Sequence, residues 1–306
     1  MPAHAARPDP SVLPVVKERR PSRATCDRRI RYLRNAYDAK LSPGEVLDKA
    51  AASGKKIVVI GESHYERVNK FYHWAFGEMK KKNPALDCIL VEQPLAKYQA
   101  ALDACHARRG CKRASLPSFS GVAAGLALGL KVKAIDAETN FMNLPSDLLA
   151  DLNRRDRFMA NATEDLFKSG ECKFALMIIG ANHARGYDRE TSVVAELKAK
   201  NFDPYKIELI SPGLNRDGCA DFRWRWKSIA GKKLCAAEMP VLKENFGFLN
   251  SKDGEIVPSE YGDIPGNDDT RRSYGYWSDY DAVIALGCKD PEASACPLEI
   301  YPDCRR

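Results

Sequence analysis

The chain lacks most of the short motifs that mark common enzyme classes. It has no Gly-x-Ser-x-Gly elbow, no Walker loop, no Gly-x-Gly-x-x-Gly and no His-Glu-x-x-His. Serine-hydrolase chemistry and nucleotide binding by the familiar loops therefore lose support. No apolar run approaches the roughly 20 residues needed to span a bilayer, so no transmembrane segment is expected. No Cys-x-x-Cys pair exists, which argues against a zinc ribbon or a thioredoxin-type motif. The first 25 residues carry no apolar core of the kind a signal peptide needs. Basic residues cluster before position 35 (Arg19, Arg20, Arg23, Arg28, Arg29, Arg31, Arg34) and at Lys80-Lys81-Lys82, without interleaved aromatics. A net charge of +7 is mild for this length; both clusters read as solvated surface, and no nucleic-acid partner is expected.

What is present suits one large core. A chain of 306 residues with 44% hydrophobic and 29% charged content has the make-up of a soluble globular protein. The 10 cysteines are many for a cytosolic enzyme. Cys105 and Cys111 bracket a short loop, Cys219 and Cys235 another irregular stretch, and Cys288, Cys296 and Cys304 fall near the end. Disulfides in an oxidising compartment explain such placement, and an extracytoplasmic location, periplasmic or secreted, is expected on that ground alone. Cys88 lies inside a strand pattern and is expected to be an ordinary buried thiol.

Three regions are expected: a flexible Pro- and Arg-rich arm over 1–27, one α/β domain over 28–290, and a Cys/Pro-rich tail over 291–306. Helical patterning begins after residue 28 and is broken at Ser42-Pro43-Gly44. Buried-strand runs then alternate with helical patterns: 57–60, 88–91, 132–135, 174–179 and 207–210 as strands, with helices over 66–81, 95–106, 121–130, 146–169 and 190–200 between them. Residues 213–278 read as a loop-rich insertion, and 281–286 as a last strand. This alternation predicts an α/β fold with a mainly parallel central sheet flanked by helices, ending in an irregular, loop-rich C-terminal region.

The ends of those strands carry the chemistry. The first is followed by Gly61-Glu62-Ser63-His64 and the fourth by Gly180-Ala181-Asn182-His183. Ser63 and Glu66 have the spacing of a capping box, which places His64 in the first helical turn. The positive pole there disfavours an imidazolium, and a neutral imidazole suits a general base or a metal ligand. Glu92 ends the second strand; Asp136, with Glu138 nearby, ends the third. Four successive strands thus end in ionisable residues along the edge where parallel sheets build active sites. Arg155 falls on the apolar stripe of the long helix, between Leu152 and Met159. An inward arginine requires an anionic partner, either a strand-end carboxylate or a group on a ligand. His73, beside the stripe of its helix, is a packing or surface residue or else a metal or haem ligand.

These motifs resemble, in the same order, those of the superfamily that groups the erythromycin esterases, the ChaN-type haem-binding lipoproteins and the Tiki and TraB proteins. The resemblance runs from about residue 57 to 212, with an echo over 280–286, and includes Arg155-Asp156-Arg157-Phe158-Met159-Ala160. It implies a hydrolase that cleaves an ester or amide of a small-molecule or peptide substrate, with water activated by histidine or by a divalent metal. His64 is then general base or ligand, Glu62 and Glu92 are its partners, His183 is a second ligand or proton carrier, and Arg155 is an anion clamp. The metal set would be Glu62, His64, Glu92 and His183. The alternative is ChaN-like haem or iron binding without turnover, with His73, Asp136 and an oxygen from Tyr274, Tyr276 or Tyr280 near the cofactor. The ChaN pattern has closely following histidines after the first loop; here the next, His73, lies nine residues on.

Overall fold

The structure, a computed structural model, describes residues 41–62, 68–109, 111–112, 115–117, 120–137, 148–185, 191–210, 246–249 and 280–285. Along them run helix α1 (Pro43–Ala52), strand β1 (Ile57–Glu62), α2 (Val68–Lys82), β2 (Cys88–Pro94), α3 (Leu95–His106), α4 (Ser120–Ala127), β3 (Lys131–Asp136) and α5 (Leu148–Lys168). Then follow β4 (Ala175–Gly180), α6 (Ala181–Arg185), α7 (Val193–Ala199), β5 (Tyr205–Ile210), β6 (Phe246–Leu249) and β7 (Ala282–Ala285). The expected break at Ser42 is a helix start. Ser42 Oγ accepts from the Glu45 N–H at 3.2 Å, Glu45 Oε2 accepts from the Ser42 N–H at 2.7 Å, and Pro43 occupies the first turn, where its missing donor costs nothing.

The described strands form one sheet in the order β3-β2-β4-β1-β5-β7-β6. Every neighbouring pair is parallel except β6 with β7, which is antiparallel at the edge. The predicted α/β architecture with a mainly parallel sheet is the one found. Strands β1 and β4 are buried along their whole length, as strands covered by helices on both faces must be. Alternation divides their side chains between two cores. Val58, Ile60, Ile89 and Val91 pack with α1 to α4 through Leu47, Phe71, Phe76, Leu102 and Val122. Ile57, Val59, Leu90 and Met177 pack with α5 to α7 through Met159, Ala184, Val193 and Leu197. Helix α4, rich in small residues, comes close to the sheet: a Cβ on Gly125 would lie 2.8 Å from Val132 Cγ2 and 3.0 Å from Ile89 Cγ1.

The chain leaves β1 for the α2 face and leaves β4 for the α6–α7 face, yet β1 and β4 are neighbours. Their carboxyl ends therefore flank a topological switch point, the place where open parallel sheets form a crevice.

One expectation changes. Cys88 is not a free thiol: it is disulfide-bonded to Cys172, joining the start of β2 to the turn before β4. Within 213–278 only 246–249 is described, and it is a strand. The turn after β4 is already helical, as α6. The expected Cys105–Cys111 loop is closed by a disulfide. Among the described residues no helix is long and apolar enough to cross a membrane. The arm, the tail, Ser63 to Glu66, Glu138, Cys219, Cys235, Tyr274 and Tyr276 lie outside the described residues.

Candidate active site

Glu92 follows Cys88 and Leu90 in the β2 alternation and so turns toward α5. Its Oε1 accepts from Arg155 Nη2 at 2.7 Å, and its Oε2 accepts from the Gly180 N–H at 2.6 Å. Arg155, buried on α5, also donates from Nε to both Asp136 oxygens at 3.1 Å, and from Nη2 to Asp136 Oδ2. Asp136 Oδ1 accepts in addition from the Ala137 N–H at 2.7 Å. The anions sought for Arg155 are thus the strand-end carboxylates of β2 and β3. Burial raises the Asp136 carboxyl above its ordinary value, against the opposing pull of Arg155. Arg155 keeps its proton: burial works against the charge, but Asp136 and Glu92 outweigh it and move its pKa upward.

His183 completes the cluster. It lies on α6, directly after β4, and is 4% exposed. Its Nδ1 is 2.5 Å from Asp156 Oδ1 and its Nε2 is 3.2 Å from Glu92 Oε1. A neutral imidazole has one donor and cannot satisfy both carboxylates; an imidazolium can. Burial opposes that charge, but the bonds and attraction to Asp156 and Glu92 prevail and raise the pKa to about 9. Three carboxylates therefore face one guanidinium and one imidazolium. The arrangement holds two cations rigidly at the carboxyl ends of β2, β3 and β4, each paired with the carboxylates around it.

Asp156, fully buried, has no role in the sequence reading, although the same signal that marks Arg155 marks it. Leu152, Asp156, Met159 and Thr163 follow helical spacing, so a second charge lies on the apolar stripe.

Glu62 is placed differently. In β1 it continues the alternation of Val58 and Ile60 and turns to the α2 face, where its Oε2 accepts from the Tyr72 hydroxyl. Burial, then the Glu62 charge, raise the Tyr72 pKa well above the ordinary phenol value, so the hydroxyl stays a donor. The backbone of Glu62 is in register with Gly180, but Glu62 and Glu92 leave the edge on opposite faces. His64 lies outside the described residues. His73 is half-buried on α2, and burial lowers its pKa. Tyr280 is buried, and its hydroxyl donates to the Ala181 carbonyl at 3.4 Å.

Among the described residues no group of three or more His, Cys, Asp or Glu is arranged to hold a metal ion. Of the expected ligand set, Glu62 bonds to Tyr72 on the α2 side of the sheet, while Glu92 and His183 bond to each other on the α5 side.

No protein-family profile and no curated protein matches the chain. Solved structures give loose likenesses. One is RRSP, a MARTX toxin effector domain from Vibrio vulnificus, at TM-score 0.40 and 16% identity, over 58% of this chain and 38% of that one. A second is the type III effector HopBA1, at TM-score 0.41 and 15% identity, over 57% of this chain and 88% of that one. A third is the C-terminal region of Pasteurella multocida toxin, described as having a thiol-protease-like catalytic triad, at TM-score 0.41 and 11% identity, over 62% of this chain and 30% of that one. This chain spans well under half the length of the first and third. Likenesses at this level carry no argument about chemistry, which rests on the residues themselves.

Proposed function

We propose that this protein is a hydrolase of the erythromycin-esterase and Tiki type, cleaving an ester or amide of a small molecule or peptide at the edge where β2, β3 and β4 end. The observation that carries the reading is His183, buried and bonded at both ring nitrogens by Asp156 and Glu92, beside the β1–β4 switch point. His64, two residues after β1 in the sequence, takes a proton from water, and the water oxygen attacks the carbonyl carbon. The attack moves the carbonyl π pair onto oxygen as an oxyanion. Collapse breaks the bond to the leaving oxygen or nitrogen, which receives a proton from His183 Nε2 by way of Glu92. Arg155 and the Gly180 N–H hold Glu92 in place for that transfer. No step is assigned to a metal. Membership in the superfamily is part of the same proposal, supported by the ordered motifs, and the Cys88–Cys172 and Cys105–Cys111 disulfides support an extracytoplasmic site of action.

The test is a broad esterase and peptidase screen of the full chain beside His64→Ala. Turnover disappears in the variant while its circular dichroism matches the wild type; full activity in the variant sinks the proposal. A Soret band on adding haemin, lost in His73→Ala, would support the haem reading instead.

A further inference from the structure

We propose that the Tyr280 hydroxyl is a positioning group that locks the end of β1 against the start of α6, the helix that carries His183. Tyr280 is 2% exposed and lies two residues before β7. Its place is set by the next residue: the Asp281 N–H donates to the Lys206 carbonyl at 2.9 Å, and the Lys206 N–H donates to Asp281 Oδ2 at 2.7 Å. From there the ring crosses to the far ends of β1 and β4. The hydroxyl donates to the carbonyl of Ala181, two residues before His183. It also fills the space beside Gly61, three residues before His64. A Cβ on Gly61 would lie 2.5 Å from Tyr280 Oη, 3.1 Å from its Cε1 and 3.1 Å from Ala184 Cβ.

Gly61 is not among the residues whose backbone has a positive φ. It sits within β1 in register with Ile179, a conformation any residue adopts. The glycine is required by close approach, and what approaches is the Tyr280 hydroxyl. One phenol oxygen thus touches β1 at Gly61 and α6 at Ala181, while Ala184, next to His183, closes the same contact. The C-terminal segment that carries Tyr280 becomes part of the site's framework. The functional consequence rests on the hydrolase reading above; the contact itself does not.

The experiment compares Gly61→Ala, Tyr280→Phe and the double variant in the full chain. Two quantities are read: turnover on a substrate from the screen, and the low-field proton resonance of the His183–Asp156 bond, assigned by its loss in His183→Gln. Gly61→Ala is expected to lose the resonance and to lower kcat by about 100-fold, the order of loss that follows roughly 1 Å of misplacement. Removing the hydroxyl leaves ring carbon Cε1 as the nearest Tyr280 atom, at 3.1 Å. The double variant is therefore expected to regain the resonance and at least about tenfold of the lost kcat. A double variant with the same missing resonance as Gly61→Ala overturns the proposal. If Gly61→Ala does not fold, Tyr280→Phe decides. Its His183 proton should exchange with water about fivefold faster, as the loss of one ordinary hydrogen bond allows; an unchanged exchange rate overturns the proposal. A wild type with no turnover in the screen defeats the hydrolase reading, and the resonance still judges the lock.

Discussion

Replacing Arg155 by methionine keeps much of the side chain's volume but leaves Glu92 and Asp136 without their shared cation in a buried space. Breaking one partner out of such a network costs about 3–5 kcal/mol, far above the worth of a surface pair. Arg155→Met should therefore lower the urea midpoint sharply. Arg155→Lys should recover only part of the loss, because one ammonium cannot reproduce the paired donation to Asp136 and the bond to Glu92. His183 gives a pH signature. Its folded pKa of about 9 lies above the ordinary 6.5, so the folded state holds the proton more tightly than the unfolded state. That contribution is complete below about pH 6.5 and fades as pH rises through about 9. Urea midpoints between pH 6 and 10 should fall over that window in the wild type. The fall should be much shallower in Asp156→Asn, which removes one of the two carboxylates that hold the charge; equal slopes would refute the pairing.

The Cys88–Cys172 bond acts at the scale of the strand pair. It ties the start of β2 to the turn before β4, the two neighbours whose far ends present Glu92 and His183. With 84 residues of separation, a chain-entropy account assigns the cross-link roughly 4.5 kcal/mol, against roughly 2.5 kcal/mol for the short Cys105–Cys111 loop. The C88A/C172A variant should therefore melt well below C105A/C111A, as followed by thermal circular dichroism under non-reducing conditions. The reverse order would show that strain or residual structure in the unfolded chain governs these cross-links. The pairing was missed in the sequence because Cys88 reads as one more apolar residue of a buried strand. Its partner lies beyond four intervening elements and is brought near only by the insertion of β4 beside β2. The helices were legible to within a few residues, since apolar spacing and caps are local. The short strand β6 was not, because four residues at a sheet edge carry too little periodicity.

Across the whole molecule, the sequence determined that strands alternate with helices, that the sheet is mainly parallel, and that ionisable residues stand at successive strand ends. Those properties are local: four-residue apolar runs, helical spacing and the residue that follows each run. The inward Arg155 was equally legible, because an unpaired buried cation is too costly to leave without an anion. Which anion it met was not. Only the strand order β3-β2-β4-β1-β5 decided that Glu92 and Asp136 share Arg155, and that Gly180 and His183 close on Glu92 from the neighbouring strand. The tertiary structure also separated two carboxylates that look equivalent in the sequence. Glu62 and Glu92 both end buried strands, yet strand parity and strand order send one to Tyr72 and the other to Arg155 and His183. Residue type and spacing specify what each strand end can do. Which ends come within a hydrogen bond of one another depends on long-range pairing between segments tens of residues apart, for which no local pattern in the chain carries a signal.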